Sequence, residues 1–179
     1  MSEELALFRD NVKRFVDTEV LPHYQQWEKA EIFPRELWNQ LGEQGLLAVD
    51  IPEAYGGYGA NFLFSMAIQE TFARANCGAV GGPMAVHSDI VAHYLLNRCS
   101  EEQKQRFLPR MVSGECVGAV AMTEPGAGSD LQGIRTSARR DGDDYLINGS
   151  KTFITNGQHC DLVIVAARTN TAVPGSRGT

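Results

Sequence analysis

The 179-residue sequence is poor in several things, and each shortage narrows its function. It has no C-x-x-C pair. Cys77, Cys99, Cys116 and Cys160 stand singly, which excludes zinc ribbons and fingers and reads as small thiols in a reducing, cytosolic setting. His87 and His93 are six residues apart and so fall on different helix faces, which argues against a paired metal site. Apolar runs reach only about six residues, far short of the ~20 that cross a bilayer, so no membrane role is expected. Positive charge is scarce too: 16 Lys and Arg against 22 Asp and Glu leave a net charge of −6, which disfavours a nucleic-acid partner. The adjacent pair Arg139-Arg140 is followed by Asp141, Asp143 and Asp144 and reads as a solvated hairpin end. Met1-Ser2-Glu3-Glu4 opens straight into an amphipathic pattern without a leader, as expected of a cytoplasmic protein.

What the chain does have is a concentrated loop, Ala121-Met122-Thr123-Glu124-Pro125-Gly126-Ala127-Gly128-Ser129-Asp130. Two glycines without a Cβ let backbone N–H groups approach a bulky anion, and Thr123 and Ser129 add hydroxyls. The loop suits a phosphate or cofactor, or simply a turn between strands. It is neither of two familiar phosphate motifs. Leu131 stands where G-x-G-x-x-G requires its third glycine, and Ser150 separates Gly149 from Lys151 where a P-loop has Gly-Lys. Glu124 and Asp130 read as carboxylates that shape the loop rather than as an acid–base pair.

The hydrophobic period changes once along the chain. Residues 1–113 read as helices. The first is capped by Ser2, carries Leu5, Phe8, Val12, Phe15, Val16 and Val20 inward, and is expected to end at Pro22. A second starts at Pro34, with Leu37, Trp38 and Leu41 inward and Gly45 beyond its end. Asn61 caps a third, a fourth spans Pro83 to Asn97, and Ser100 with Gln103 forms a capping box for a fifth. His87 reads as core or pocket lining, and Met84, Ile90, Val91, Tyr94 and Leu95 as pocket or core. After Gly114 the pattern is of strands: Cys116–Met122, Ile134–Arg139, Tyr145–Ile147, Lys151–Thr155 and Leu162–Ala167. Hairpin turns are expected at Asp141-Gly142 and Asn148-Gly149. The expected class is α+β: an all-α N-terminal domain over 1–113, then an antiparallel β-barrel or sandwich begun over 114–179. Asn170–Thr179 reads as a turn-rich tail. An antiparallel sheet stopping there keeps an open edge, so the β domain is expected to be cut before completion.

These residues carry a resemblance. The blocks Ile51-Pro52-Glu53-Ala54-Tyr55-Gly56-Gly57-Tyr58-Gly59, Ser100-Glu101-Glu102-Gln103-Lys104, Met122–Asp130, Asn148-Gly149-Ser150-Lys151 and Phe153-Ile154-Thr155-Asn156-Gly157 resemble, in order, the N-terminal and middle domains of the acyl-CoA dehydrogenase family. The resemblance implies FAD as cofactor and α,β-dehydrogenation of acyl-CoA thioesters. Val120, Met122 and Thr123 would lie along the flavin, with Gly128 and Ser129 at the pyrophosphate and Ser129 also touching the acyl-CoA. Phe153, Ile154 and Thr155, read as a strand, would cover the opposite flavin face, Phe153 supplying an aromatic face without an N–H. On residues alone, Phe153 could equally be core and Thr155 a strand end.

In the family a carboxylate removes the α-proton while the β-hydrogen leaves as hydride, and hydrogen bonds stabilise the thioester oxygen. That base, a glutamate, lies in a C-terminal helical domain, so no catalytic residue is expected within 1–179. The resemblance further implies an electron-transfer flavoprotein as acceptor and a homo-oligomer, dimer or tetramer. The run 121–133 is closest to the long-chain-like branch. Two alternatives stand beside this: an acyl-CoA oxidase or flavin monooxygenase of the same fold, and a non-catalytic flavin or acyl-CoA binding module.

Overall fold

The structure, a computed structural model, describes residues 2–170. Seven α-helices precede four short strands: α1 Glu3–Phe15, α2 Leu21–Ala30, α3 Glu36–Glu43, α4 Phe62–Arg74, α5 Gly78–Ala85, α6 Ala92–Arg98, α7 Glu101–Val112, β1 Gly118–Ala121, β2 Ser137–Asp141, β3 Asp144–Asn148 and β4 Leu162–Val165. The tail at 171–179 lies outside the described residues. The helical half and the β half follow in the expected order, and the chain changes character between α7 and β1.

Helix starts follow their caps. Ser2 Oγ accepts the Leu5 amide, Asn61 accepts that of Leu63, and Ser100 and Gln103 form both halves of a capping box. Pro22 does not end the first helix. A π-turn at Val16–Val20 joins α1 to α2, and the Leu21 amide reaches back to the Val16 carbonyl. That wider register absorbs the proline, which has no N–H to give, near the start of α2. A second π-turn, Val86–Val91, joins α5 to α6, so the fourth expected helix begins earlier, at Gly78.

The core is one cluster around Val12, Val16, Trp38, Leu41, Leu47, Phe72 and Met84, and a second around Ile51, Val91, Leu95, Leu108 and Met111. Of the fourth-helix residues read as pocket or core, Met84, Val91 and Leu95 are core, while Ile90 and Tyr94 reach solvent. β1 inserts against the second π-turn, and a Cβ on Gly118 would stand 2.6 Å from Val91 Cγ1. Only glycine fits that approach.

The β half departs from expectation in three ways. β1 pairs with β4 in parallel, Gly118 beside Leu162 through Ala121 beside Val165, where antiparallel neighbours were expected throughout. The long connection carrying the β2–β3 hairpin serves as the crossover that a parallel pair needs. The hairpin at Asp141-Gly142 forms, with Gly142 at φ 64°. Asn148-Gly149 instead packs on Thr136, whose Oγ1 would lie 2.3 Å from a Cβ on Gly149. Lys151–Thr155 is an irregular loop rather than a strand: Phe153 and Asn156 are left-handed, at φ 54° and 68°. β-propensity yields here because no strand pairs with the segment among the described residues. The four described strands form two separate two-stranded sheets.

A seam joins the halves. The Arg35 guanidinium donates to the carbonyls of Gly114 and Glu115 and to Asp161 Oδ2, each at 2.9 Å, and Asp161 Oδ2 accepts the Val117 amide at 2.8 Å. Burial pushes the Asp161 carboxyl up, but the amide and Arg35 outweigh it and hold it below its ordinary value.

Candidate functional site

β1 delivers Val120, Met122 and Thr123 half-exposed at its C-terminal end. The loop beyond is shaped by Glu124. Its Oε2 accepts the Arg135 amide at 2.6 Å, and its Oε1 accepts the Thr136 amide and Lys151 Nζ, each at 2.9 Å. Burial pushes this carboxyl up. The contacts from Thr136 and Lys151 and the two amides win, and lower its pKa to about 2. A carboxylate committed to three donors from Arg135, Thr136 and Lys151 shapes the loop. Asp130 does a lesser version of the same, accepting the Gln132 amide at 3.2 Å.

With its ends fixed, the turn 126–129 is left open. A Cβ built on Gly126 or Gly128 would meet nothing within 4 Å. Gly128 and Ser129 are exposed, and among the described residues their amides and the Ser129 hydroxyl have no hydrogen-bond partner. Two bare N–H groups and a hydroxyl with open approach are the donor set a pyrophosphate takes.

The second strip of the site is tied to the residues that lead into this loop. Lys151 Nζ donates to the Met122 carbonyl at 2.9 Å, and the Thr152 amide donates to that of Thr123 at 3.0 Å. The segment carrying Phe153, Ile154 and Thr155 is thereby brought beside Met122 and Thr123. No hydrogen bond links it to Gly128 or Ser129 among the described residues. Phe153 is 92% exposed, which removes the core reading: its ring is presented outward, open to a planar partner.

His87, on the second π-turn, is wholly buried. Its Nδ1 accepts the Gly118 amide at 3.0 Å and its Nε2 donates to the Met111 carbonyl at 3.0 Å, which assigns the neutral Nε2–H tautomer. Burial lowers its pKa to about 4. Trp38 packs against it, ring centroids 5.1 Å apart and planes tilted by 50°, and the Trp38 indole N–H donates to His159 Nδ1 at 3.1 Å. The histidine is a core residue that holds β1.

Two participants were missed in the sequence. Lys151 enters the sequence reading only as a motif residue and the start of an expected strand, and Asn156 only within a family-like block. Its amide donates to the carbonyls of Pro83 and Gly118, at 3.0 and 2.9 Å. The available signal was an Asn-Gly pair closing an otherwise strand-like run, since asparagine tolerates the left-handed region. Beside this loop lies a cleft of about 460 Å³, with Trp27, Phe33, Val80, Pro83 and Ile154 among its walls. Glu28 and Glu31 also border it, which makes it a poor seat for phosphate.

A family model of the acyl-CoA dehydrogenase N-terminal domain matches residues 2–115, and one of the middle domain matches 119–178. The chain belongs to the acyl-CoA dehydrogenase family. It is 51% identical over 169 residues to the mitochondrial long-chain specific acyl-CoA dehydrogenase of Sus scrofa, covering 94% of this chain and 39% of that one. The crystal structure of an acyl-CoA dehydrogenase from Geobacillus kaustophilus superposes with a TM-score of 0.92 at 46% identity, over 97% of this chain and 45% of that one. An acyl-CoA dehydrogenase from Bacillus anthracis, solved as a complex with FAD, matches with a TM-score of 0.86 at 37% identity, over 94% of this chain and 29% of that one. The chain thus spans well under half the length of each. Among the described residues no helix is long and apolar enough to cross a membrane.

Proposed function

We propose that the protein containing this chain is an FAD-dependent acyl-CoA dehydrogenase, and that residues 1–179 supply one wall of its site. The observation that carries the reading is the open turn at Gly126–Ser129, continuous with the end of β1, where the Met122 and Thr123 carbonyls hold the segment of an outward-facing Phe153. Gly128 and Ser129 would hold the pyrophosphate, with Ser129 also reaching the acyl-CoA. Val120, Met122 and Thr123 would lie along the ring on one side, and Phe153, Ile154 and Thr155 on the other. The bound flavin supplies a hydride acceptor. This chain's residues bind and orient it and exclude water from one face. Glu124, the one strongly perturbed carboxylate beside the site, is locked in loop contacts, which supports a base outside 1–179.

The helical domain would comprise 1–113 and the β domain begin at 114. The relationship to the long-chain enzyme favours straight, long acyl chains, with an electron-transfer flavoprotein as acceptor and a homo-oligomeric assembly, dimer or tetramer. The test is anaerobic titration of the purified full-length protein with palmitoyl-CoA and isovaleryl-CoA while the flavin absorbance is followed. Bleaching by palmitoyl-CoA, with turnover that requires the electron-transfer flavoprotein and consumes no oxygen, is the expected result. Turnover with oxygen uptake would point to an oxidase, and a protein that carries no flavin would sink the reading.

A further inference from the structure

The loop 151–156 is fastened to β1 and its extension at two places, each through main-chain carbonyls. At one end Lys151 and Thr152 hold the carbonyls of Met122 and Thr123. At the other, Asn156 Nδ2 holds that of Gly118, four residues upstream of Met122. Only Phe153, Ile154 and Thr155 lie between the fastenings. Loop and strand therefore form a bracket whose two arms are the two strips read above as flavin contacts.

Asn156 is also the point where the bracket meets the helical half. The same amide group donates to the Pro83 carbonyl in α5, which also accepts the Val86 amide where the second π-turn begins. On that π-turn, His87 takes the N–H of Gly118 while Asn156 takes its C=O. Both main-chain groups of the first residue of β1 are thus held by side chains. The Asn156 backbone is committed as well, its carbonyl accepting the amides of His159 and Cys160 at 2.9 and 2.8 Å. A residue that only closed a turn would need none of the side-chain bonds. Nor would it end an arch in which Phe153 keeps its ring 92% exposed.

We propose that Asn156 is a positioning residue for the cofactor: by pinning Gly118 and Pro83 together it sets the offset of Phe153–Thr155 against Val120–Thr123. The proposal rests on the flavin reading of these strips. Loss of the amide frees one end of the arch while leaving every flavin-contacting residue in place, so its effect falls on cofactor affinity and environment rather than on substrate capture.

The experiment uses the full-length holoenzyme and Asn156→Gly, which keeps the left-handed backbone without strain and removes only the side chain. Ser100→Ala, which removes a distant helix cap, is the control for lost stability. FAD dissociation constant, visible flavin spectrum, thermal midpoint, kcat and KM are read on each. The loss of both side-chain hydrogen bonds predicts roughly tenfold weaker FAD binding for Asn156→Gly. A shifted flavin band and a lower kcat at nearly unchanged acyl-CoA KM should accompany it, while Ser100→Ala moves the thermal midpoint alone. If Asn156→Gly does not fold, Asn156→Asp, which keeps the shape and removes both donors, is judged by the same readouts. Parental FAD affinity and spectrum in the Asn156 variant overturn the proposal alone. A parental protein without flavin overturns the functional reading and this proposal with it.

Discussion

At the scale of single residues, His87 shows how a group with no part in chemistry governs a site. Its ring is neutral because burial disfavours the imidazolium, and both nitrogens are occupied by backbone groups. The folded pKa is about 4, against 6.5 in an unfolded chain. Between those values the unfolded state binds a proton that the folded state refuses. Stability from this residue is therefore full above pH 6.5 and falls as pH drops toward 4, by about 3 kcal/mol over the window. Urea unfolding at pH 7 and pH 5 should show most of that loss. His87→Leu should cost about 2–3 kcal/mol at pH 7, because the Gly118 amide and Met111 carbonyl lose their partner, and should flatten the slope. Gly114 is another position where glycine alone fits. Its φ is 79°, and a Cβ there would sit 2.0 Å from the Trp38 carbonyl oxygen. Gly114→Ala should destabilise by about 3 kcal/mol or more, read from the denaturation midpoint, because backbone on both sides would have to move.

At the scale of elements, the 122–136 loop owes its shape to one ion pair, and the 151–156 loop to what that pair also touches. Lys151 bonds both Glu124 and the Met122 carbonyl, so it couples the two strips. Glu124 has a folded pKa of about 2 against 4.5 unfolded. Its contribution is complete above pH 4.5 and is lost as pH falls through 2, a window that lies mostly below that of His87. Glu124→Gln leaves a half-buried ammonium without its counter-charge. It should lower the thermal midpoint by roughly 5 °C and speed proteolytic cleavage near Arg135, measured against the parent at pH 7. Helix boundaries at this scale were legible where a side chain makes the cap, as at Ser2, Asn61 and Ser100. They were not legible at Pro22, because a π-turn is chosen by packing and leaves no mark in the hydrophobic period. Lys151–Thr155 reads as a strand on propensity alone. Two tertiary fastenings make it an arch.

At the scale of the whole molecule, the helical half has a finished core and the β half does not. Tyr145, Leu146 and Ile147 on β3 are 52–58% exposed in succession, so both faces of the hairpin meet solvent. A two-stranded hairpin with that composition is marginal in water and needs a cover. In the full-length protein, amides 144–148 should exchange with deuterium at least tenfold more slowly than in a polypeptide of residues 1–179, as measured by hydrogen exchange; equal rates would mean that nothing covers the hairpin.

The order of helices then strands, the buried faces of Trp38, Leu41, Leu108 and Met111, and the open turn at Gly126–Ser129 were set by local chemistry: periodicity, caps, and glycines beside hydroxyls. These signals act over a few residues, so the chain itself displays them. The parallel pairing of β1 with β4, the tautomer of His87, the outward Phe153 and the double grip of Asn156 on Pro83 and Gly118 depend on groups 24 to 73 positions apart. Such contacts exist only once the core has brought those backbones within 3 Å, and no local pattern encodes that approach.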